Sequence, residues 1–190
     1  MISTFGMLGR TAPLDIYAPT DFGPILDMQL KAFCEGLEYE VRFHSIDTTS
    51  NEVIYEDRSL TVTTIPLRHR MPCCGFLFKE KPTLPHIRRD MVDFYKIPQY
   101  AYNNIKEGQD WITPDGEVIS ASSLTSPADP IRSYAYCSDT AYMPNLHKMI
   151  QDVSALYHES TYGNDNEGRA KKYYHSTAAQ AAKVARDSNA

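Results

Sequence analysis

Short runs in which apolar and polar residues alternate fill much of the first half of the chain. Such alternation is typical of strands with one buried face. We predict strands over residues 14–17, 39–46, two within 52–67, and 75–79. The two strands within 52–67 are separated by Asp57-Arg58-Ser59, which are residue types that favour turns.

A helix is predicted between the first two strands. Ile25, Met28 and Phe33 recur there at helical spacing, and Gly36 follows as a stop signal. We therefore expect residues 21–36 to form an amphipathic helix.

The middle of the chain differs from its surroundings and is predicted to be an inserted helical arm over residues 80–115. Its first helix has apolar residues at Ile87, Met91 and Phe94. Pro98 ends that helix, and a second short helix follows it. The pattern indicates a helical pair that interrupts the strand-rich part of the chain.

Residues 132–190 are predicted to alternate between strands and helices. The strands are expected over 134–137 and 153–157, and Thr177 with Gln180 has the form of a capping box that opens a final helix. Together with the earlier strands, this alternation indicates an α/β fold.

Composition narrows the function classes. The chain is 42% hydrophobic and 23% charged, as in ordinary globular proteins, and no stretch is apolar enough to predict a membrane span. Its formal net charge of −5 does not indicate nucleic-acid binding, so any RNA contact must come from a local patch or a metal site. The four cysteines lack the spacing of a zinc knuckle or a disulfide framework, which favours reduced thiols in the cytoplasm.

Three polar residues follow predicted strands at the points where the chain turns: His69, Asp139 and His158. Strand ends line the crevice of layered α/β folds, so we expect these side chains to converge. Two imidazoles and a carboxylate are suitable ligands for zinc or manganese. A single histidine is more often a hydrogen-bonded residue than a ligand, so the prediction rests on the set of three.

Four motifs, in order along the chain, resemble those of ribonuclease Z. They are IPLRHR at 65–70 with CGFLF at 74–78, YCSDT at 136–140, LYHESTY at 156–162, and YHST at 174–177 continuing into AAQAA. The resemblance covers nearly the whole chain. It implies an α/β fold that is a partial metallo-β-lactamase αββα sandwich over residues 1–190, with an inserted helical arm.

The resemblance also implies a chemistry. Members of this family are metal-dependent endoribonucleases that remove 3′ trailers from precursor tRNA with a metal-activated hydroxide, using two zinc ions, with manganese as an alternative. By this resemblance His69 and Asp139 are metal ligands, with Asp139 as the bridge, and His158 and Glu159 are catalytic. His175 is expected to lie outside the ligands and to orient its neighbours. The implied partners are precursor tRNA and a second copy of the chain, not DNA or a membrane.

The predicted arm falls where the family has an RNA-binding exosite. Its candidate RNA contacts are Lys79, Lys81, Arg88, Arg89, Lys96 and Lys106. Six acidic residues offset these cations, and the family's GP-x-Y element occurs as Ile97-Pro98-Gln99-Tyr100 without its glycine. A surface helical hairpin that packs on its own sheet is therefore the alternative to an RNA-binding arm.

No HxHxDH run occurs in the sequence, and the family's C-terminal metal histidine is expected beyond the last helix. We therefore expect this chain alone to be inactive, to lack a dinuclear metal site and to self-associate. Two alternatives remain open: a non-catalytic remnant that binds RNA or a partner, and a non-RNA phosphodiesterase or hydrolase of the same superfamily.

Overall fold

The computed structural model describes residues 1–190, which form two compact units. The first combines Met1–Lys79 with Ser133–Ala190, and the second is Glu80–Arg132. The strands, in chain order, are β1 (Leu14–Pro19), β2 (Val41–Ile46), β3 (Val53–Glu56), β4 (Leu60–Pro66), β5 (Cys74–Glu80), β6 (His86–Ile87), β7 (Trp111–Ile112), β8 (Val118–Ile119), β9 (Thr125–Ser126), β10 (Ser133–Cys137) and β11 (Ala155–His158). The α-helices are α1 (Ile2–Met7), α2 (Phe22–Phe33), α3 (Arg89–Phe94), α4 (Tyr102–Lys106), α5 (Ala121–Leu124), α6 (Glu167–Tyr173) and α7 (Ala178–Ser188).

Two sheets belong to the first unit. Strands β1 and β2 pair in parallel, joined by the crossover helix α2, as parallel neighbours require. The larger sheet has five strands in the order β11-β10-β5-β4-β3. Strands β10 and β11 are parallel, so their carboxyl ends lie at the same edge and bring the residues that follow them together.

The core of the first unit lies on one face of the five-stranded sheet. Alternation along β10 places Ala135 and Cys137 in this core at 0% exposure, whereas Tyr134 and Tyr136 point outward and are 39% and 37% exposed. The core is completed by residues from β4, the segment before β11 and α7, namely Ile65, Leu146, Ile150, Val153 and Val184. Burial also raises the pKa of the Cys137 thiol to about 12, so it packs as a neutral apolar group.

Close approach of β5 and β10 requires a glycine. A Cβ atom added at Gly75 would overlap the backbone carbonyl oxygen of Tyr136. The glycine in the CGFLF segment therefore has a packing role that no larger residue can fill without moving β10.

Helix α2 forms where helical spacing predicted it, but the apolar residues that define the spacing are exposed. Leu26 is the buried residue of this helix, while Ile25, Met28 and Phe33 are 47%, 64% and 79% exposed. The spacing identified the helix correctly, but it did not identify the buried residue. None of the helices is long and apolar enough to cross a membrane.

The second unit contains more strand than predicted for the arm. Ile87 lies in β6, which pairs with β9, and β7 pairs with β8 around the turn at 114–116. The unit extends to Arg132, whereas the arm is predicted over residues 80–115. Phe94 is 75% exposed, and Val92 takes the buried position on α3. Its core is a separate cluster that includes Ile97, Ile105 and Leu124.

Candidate metal centre

Three side chains from three separate loops meet near the ends of the sheet strands. His69 follows β4, Asp139 follows β10, and His175 lies between α6 and α7. One potential ligand atom from each residue lies within 4.8 Å of those from the other two. The two histidines are half-buried and Asp139 is exposed, so the cluster opens to solvent.

Each of the two histidine rings is oriented by a hydrogen bond from its own Nδ1. His69 Nδ1 donates to the Tyr174 carbonyl oxygen at 3.0 Å, and His175 Nδ1 donates to Glu159 Oε1 at 2.8 Å. These oxygens can only accept, so in each neutral ring Nδ1 carries the proton and the Nε2 lone pair is free. Metal-binding histidines are typically oriented in this way. The donor set of two imidazoles and one carboxylate therefore fits a zinc ion.

The carbonyl that orients His69 belongs to a residue with an unusual backbone. Tyr174 ends α6 with φ 61° and ψ 42°, in the left-handed region. A non-glycine residue in this region carries about 1–2 kcal/mol of strain. The conformation ends the helix and also supplies the carbonyl that fixes His69.

Glu159 is buried next to the cluster, at 6% exposure, and both of its carboxylate oxygens accept several hydrogen bonds. Its Oε1 accepts from the backbone N–H groups of Thr140 and Ser176, at 3.0 and 3.1 Å, as well as from His175. Its Oε2 accepts from the backbone N–H and the hydroxyl of Thr161, both at 2.9 Å. Glu159 thus ties together the loops that carry Asp139 and His175.

The charge of Glu159 is stabilised by these donors. Burial alone would raise the pKa of this carboxyl, but the hydrogen bonds from Thr161, Thr140 and His175 outweigh burial and lower it. Glu159 was expected to be catalytic. With both oxygens engaged, the carboxylate is better placed to position His175 than to exchange protons with a substrate.

His158 lies outside the three-residue cluster. Its Nδ1 donates to the Glu159 backbone carbonyl at 2.7 Å, and its Nε2 is buried without a hydrogen-bond partner. An unpartnered buried nitrogen is uncommon and often marks a functional group. Because Nδ1 is engaged, any proton transfer by His158 would use Nε2.

Sequence reasoning placed His175 outside the ligands, whereas the structure brings its ring to His69 and Asp139. The adjacent capping box suggested that His175 served the helix, but Thr177 is the N-cap and has an extended backbone. Residues before an N-cap lie outside the helix, so the His175 side chain is free to face the strand ends. This position relative to the capping box is the signal that could have identified it.

The cations proposed for RNA binding lie mostly in a unit that contains more acidic than basic residues. Residues 80–132 contain eight acidic residues and six lysines and arginines. Arg88 also forms an ion pair with Asp90 at 2.7 Å. Lys79 lies outside this unit, in β5.

Known proteins match the chain along nearly its whole length. It is 56% identical to a ribonuclease Z of Bacteroides fragilis over 185 residues, which are 97% of this chain and 61% of that protein. The chain is homologous to ribonuclease Z. The chain is 53% identical to the ribonuclease Z of Bacteroides thetaiotaomicron, over 97% of this chain and 58% of that protein. It is 43% identical to the ribonuclease Z of Porphyromonas gingivalis, over 100% of this chain and 62% of that protein. The chain thus spans about three fifths of these ribonuclease Z relatives.

Solved structures show the fold independently. The chain superposes on human tRNase Z, short form, with a TM-score of 0.61 at 16% identity, covering 99% of this chain and 61% of that one. A metallo-β-lactamase fold protein from Bacillus subtilis gives a TM-score of 0.54 at 11% identity, with 99% of this chain and 53% of that one covered. No protein-family model matches the chain. The resemblance to ribonuclease Z and the metallo-β-lactamase fold predicted from the motifs are both confirmed.

Proposed function

We propose that this chain forms part of a metal-dependent endoribonuclease of the ribonuclease Z type, which removes 3′ trailers from precursor tRNA. The observation that carries the proposal is the cluster of His69, Asp139 and His175, in which both imidazoles are held through Nδ1. The homology to curated ribonuclease Z proteins supports the substrate class.

In this proposal, some residues of the chain hold a metal and another transfers a proton. His69 and His175 present Nε2 and Asp139 presents a carboxylate oxygen, while Glu159 and the Tyr174 carbonyl fix the rings. Zinc, or manganese in its place, would supply Lewis acidity that lowers the pKa of water and polarises a phosphate. Asp139 would be the shared carboxylate ligand if the complete protein holds two metals.

His158 is proposed to protonate the leaving ribose oxygen, a role that requires Nε2, buried in this structure, to become accessible when RNA binds. Its Nδ1 proton is retained by the Glu159 carbonyl, so the transferable proton would sit on Nε2. The general-acid role requires a doubly protonated ring before transfer and the neutral Nδ1–H ring afterwards. Because the neutral ring keeps its hydrogen bond, His158 does not need to reorient between the two states.

We also propose two partners and a compartment for the chain. Residues 80–115, with their lysines and arginines, are proposed to contact the tRNA body, and a second copy of the chain is proposed as a protein partner. The thiols of Cys34, Cys73, Cys74 and Cys137 are free, which supports the cytoplasm as the compartment.

A segment exchange tests the function. Residues 1–190 would replace the matched segment of the Bacteroides fragilis ribonuclease Z, and the chimera would be assayed on a precursor tRNA. We expect cleavage at the 3′ side of the acceptor stem, and a loss of roughly a hundredfold or more with Asp139→Ala. Asp27→Ala, an exposed carboxylate on α2, is the control and should cleave normally. Binding without cleavage by the unsubstituted chimera would favour the non-catalytic alternative instead.

A further inference from the structure

A pocket of about 230 Å³ adjoins the metal cluster and shares one residue with it. His175 contributes to the cluster and also lines the pocket. The remaining lining residues are Arg68, Ala141, Tyr142, Glu167, Lys171 and Gln180. Typical sites for drug-sized ligands measure about 300–1,000 Å³, so this pocket suits a smaller group such as a phosphate with its sugar.

The pocket has two uncommitted cations. Arg68 and Lys171 are both solvent-exposed. Neither the Arg68 guanidinium nor the Lys171 ammonium has a hydrogen-bond or ion-pair partner in the structure. Arg132 pairs with Glu80 and Arg186 with Asp187, whereas Arg58, Arg70 and Arg89 form no ion pair, like Arg68, but do not line this pocket. Unpaired cations on opposite chain segments that line one pocket favour an anionic ligand.

Glu167, the one acidic residue that lines the pocket, accepts a hydrogen bond from Gln180. Glu167 Oε1 accepts from Gln180 Nε2 at 3.0 Å, and Gln180 Oε1 accepts from the Thr177 backbone N–H at 3.0 Å. This chain of bonds holds Glu167 against α7, and its carboxylate forms no ion pair with Arg68 or Lys171. The pocket therefore carries two cations against one acid, in contrast to the whole chain with its net charge of −5.

The backbone of Arg68 is anchored to the loop that follows β10. Its N–H donates to Thr140 Oγ1 at 3.1 Å, and its carbonyl accepts from the Ala141 N–H at 2.7 Å. Because His69 follows directly and Asp139 precedes Thr140, these bonds couple the pocket wall to the metal-ligand loops. The backbone from which the Arg68 side chain extends is thus fixed next to the cluster.

We propose that this pocket binds an RNA phosphodiester adjacent to the one at the metal cluster, with Arg68 and Lys171 as its cationic contacts. The assignment of the polymer as RNA rests on the proposed function, whereas the phosphodiester chemistry rests on the pocket. Arg68 offers a planar fork to two phosphate oxygens and Lys171 offers a point charge. Such contacts fix the register of an RNA strand without reading its sequence.

Two binding measurements on the 190-residue chain test the proposal. The first is amide NMR during titration with the dinucleotide UpU. The second is the affinity for a fluorescent precursor tRNA over a range of salt concentrations. The variants are Arg68→Gln and Lys171→Gln, with Arg58→Gln and Lys31→Gln as exposed charge-matched controls outside the pocket. Circular dichroism confirms that each variant folds, and Arg68→Lys, which keeps the charge, serves as a second variant at that position.

UpU should shift the amides of Ala141, Tyr142, Lys171 and Gln180. Arg68→Gln and Lys171→Gln should each weaken precursor tRNA binding about tenfold, corresponding to one charge-assisted contact. Each should also lower the salt slope by about 0.7, while the controls change neither. Arg68→Lys should bind with intermediate affinity.

These measurements distinguish a failure of the pocket proposal from a failure of the proposed function. If UpU shifts the pocket amides but the chain does not bind precursor tRNA, the phosphodiester site stands and the tRNA assignment falls. If precursor tRNA binds while UpU leaves these amides unchanged and the pocket variants match their controls, the pocket proposal is overturned and the proposed function stands.

Discussion

Glu159 Oε1 lies 2.8 Å from His175 Nδ1, and this single bond connects a buried carboxylate to an imidazole of the metal cluster. The same oxygen holds the Thr140 N–H, one residue after Asp139. Two of the three candidate ligands are therefore positioned by one side chain. The orientation of the cluster depends on Glu159 although Glu159 is not a ligand.

Replacing Glu159 with glutamine tests that relationship. Glutamine removes the charge and can present its oxygen to only one of the two groups of donors, so the hydrogen bond that orients His175 is weakened or lost. We expect zinc affinity to fall by about 10- to 100-fold, as for other residues that orient a metal-bound histidine. Competition with a chromogenic chelator measures the affinity. Glu52→Gln, an exposed carboxylate distant in sequence from these loops, should keep the wild-type value, and an unchanged affinity in Glu159→Gln would remove the positioning role.

The close approach of β5 and β10 predicts a steric effect at Gly75. Alanine there places a Cβ against the Tyr136 carbonyl, so one strand must shift, and we expect a loss of about 1–3 kcal/mol in the free energy of unfolding. Gly168→Ala is the matched control, because a Cβ on α6 meets no atom within 4 Å and alanine favours helix by about 1 kcal/mol. Urea denaturation of both variants measures this. Equal stabilities would contradict the packing described for β5.

The turn between β3 and β4 predicts a pH effect. Hydrogen bonds from the Ser59 backbone and hydroxyl, and then from the Leu60 backbone, lower the pKa of Asp57 to about 2 from an ordinary value of 3.8. Because the folded pKa is depressed, the contribution of Asp57 to stability is present above pH 3.8 and is lost as the pH falls toward 2. Asp57→Asn should therefore lower the melting temperature at pH 7, and the difference should shrink between pH 4 and pH 2. A pH-independent difference would show that the charge is not involved.

Aromatic residues on the outer face of the five-stranded sheet predict self-association. Tyr136 and Tyr157 stack with ring centroids 4.8 Å apart and are 37% and 48% exposed. Contiguous exposed aromatic surface favours a partner. We expect a dimer by light scattering that Tyr136→Ser weakens, whereas Tyr100→Ser, 80% exposed in the second unit, leaves it intact. A monodisperse wild-type monomer would contradict this prediction.

Local patterns were sufficient to predict most elements of the fold. The strands of the first unit follow from alternation, and the Thr177–Gln180 capping box is present as the sequence suggested. Burial was less predictable, because the exposed side of α2 depends on what packs there and not on the spacing of Ile25 and Met28. The position of His175 could not be inferred for a similar reason, since it depends on a hydrogen bond to Glu159 from 16 residues away.

Zinc content is the most direct test of the three-residue cluster. The protein would be equilibrated with zinc, desalted and analysed for metal, together with His175→Ala and the control His147→Ala, whose histidine lies outside the cluster. Three protein ligands with an open position suit a single zinc ion. We predict one zinc per chain in the wild type and in His147→Ala, and almost none in His175→Ala. Two tightly held zinc ions per chain, or an undiminished zinc content in His175→Ala, would contradict the assignment of His69, Asp139 and His175 as the metal site.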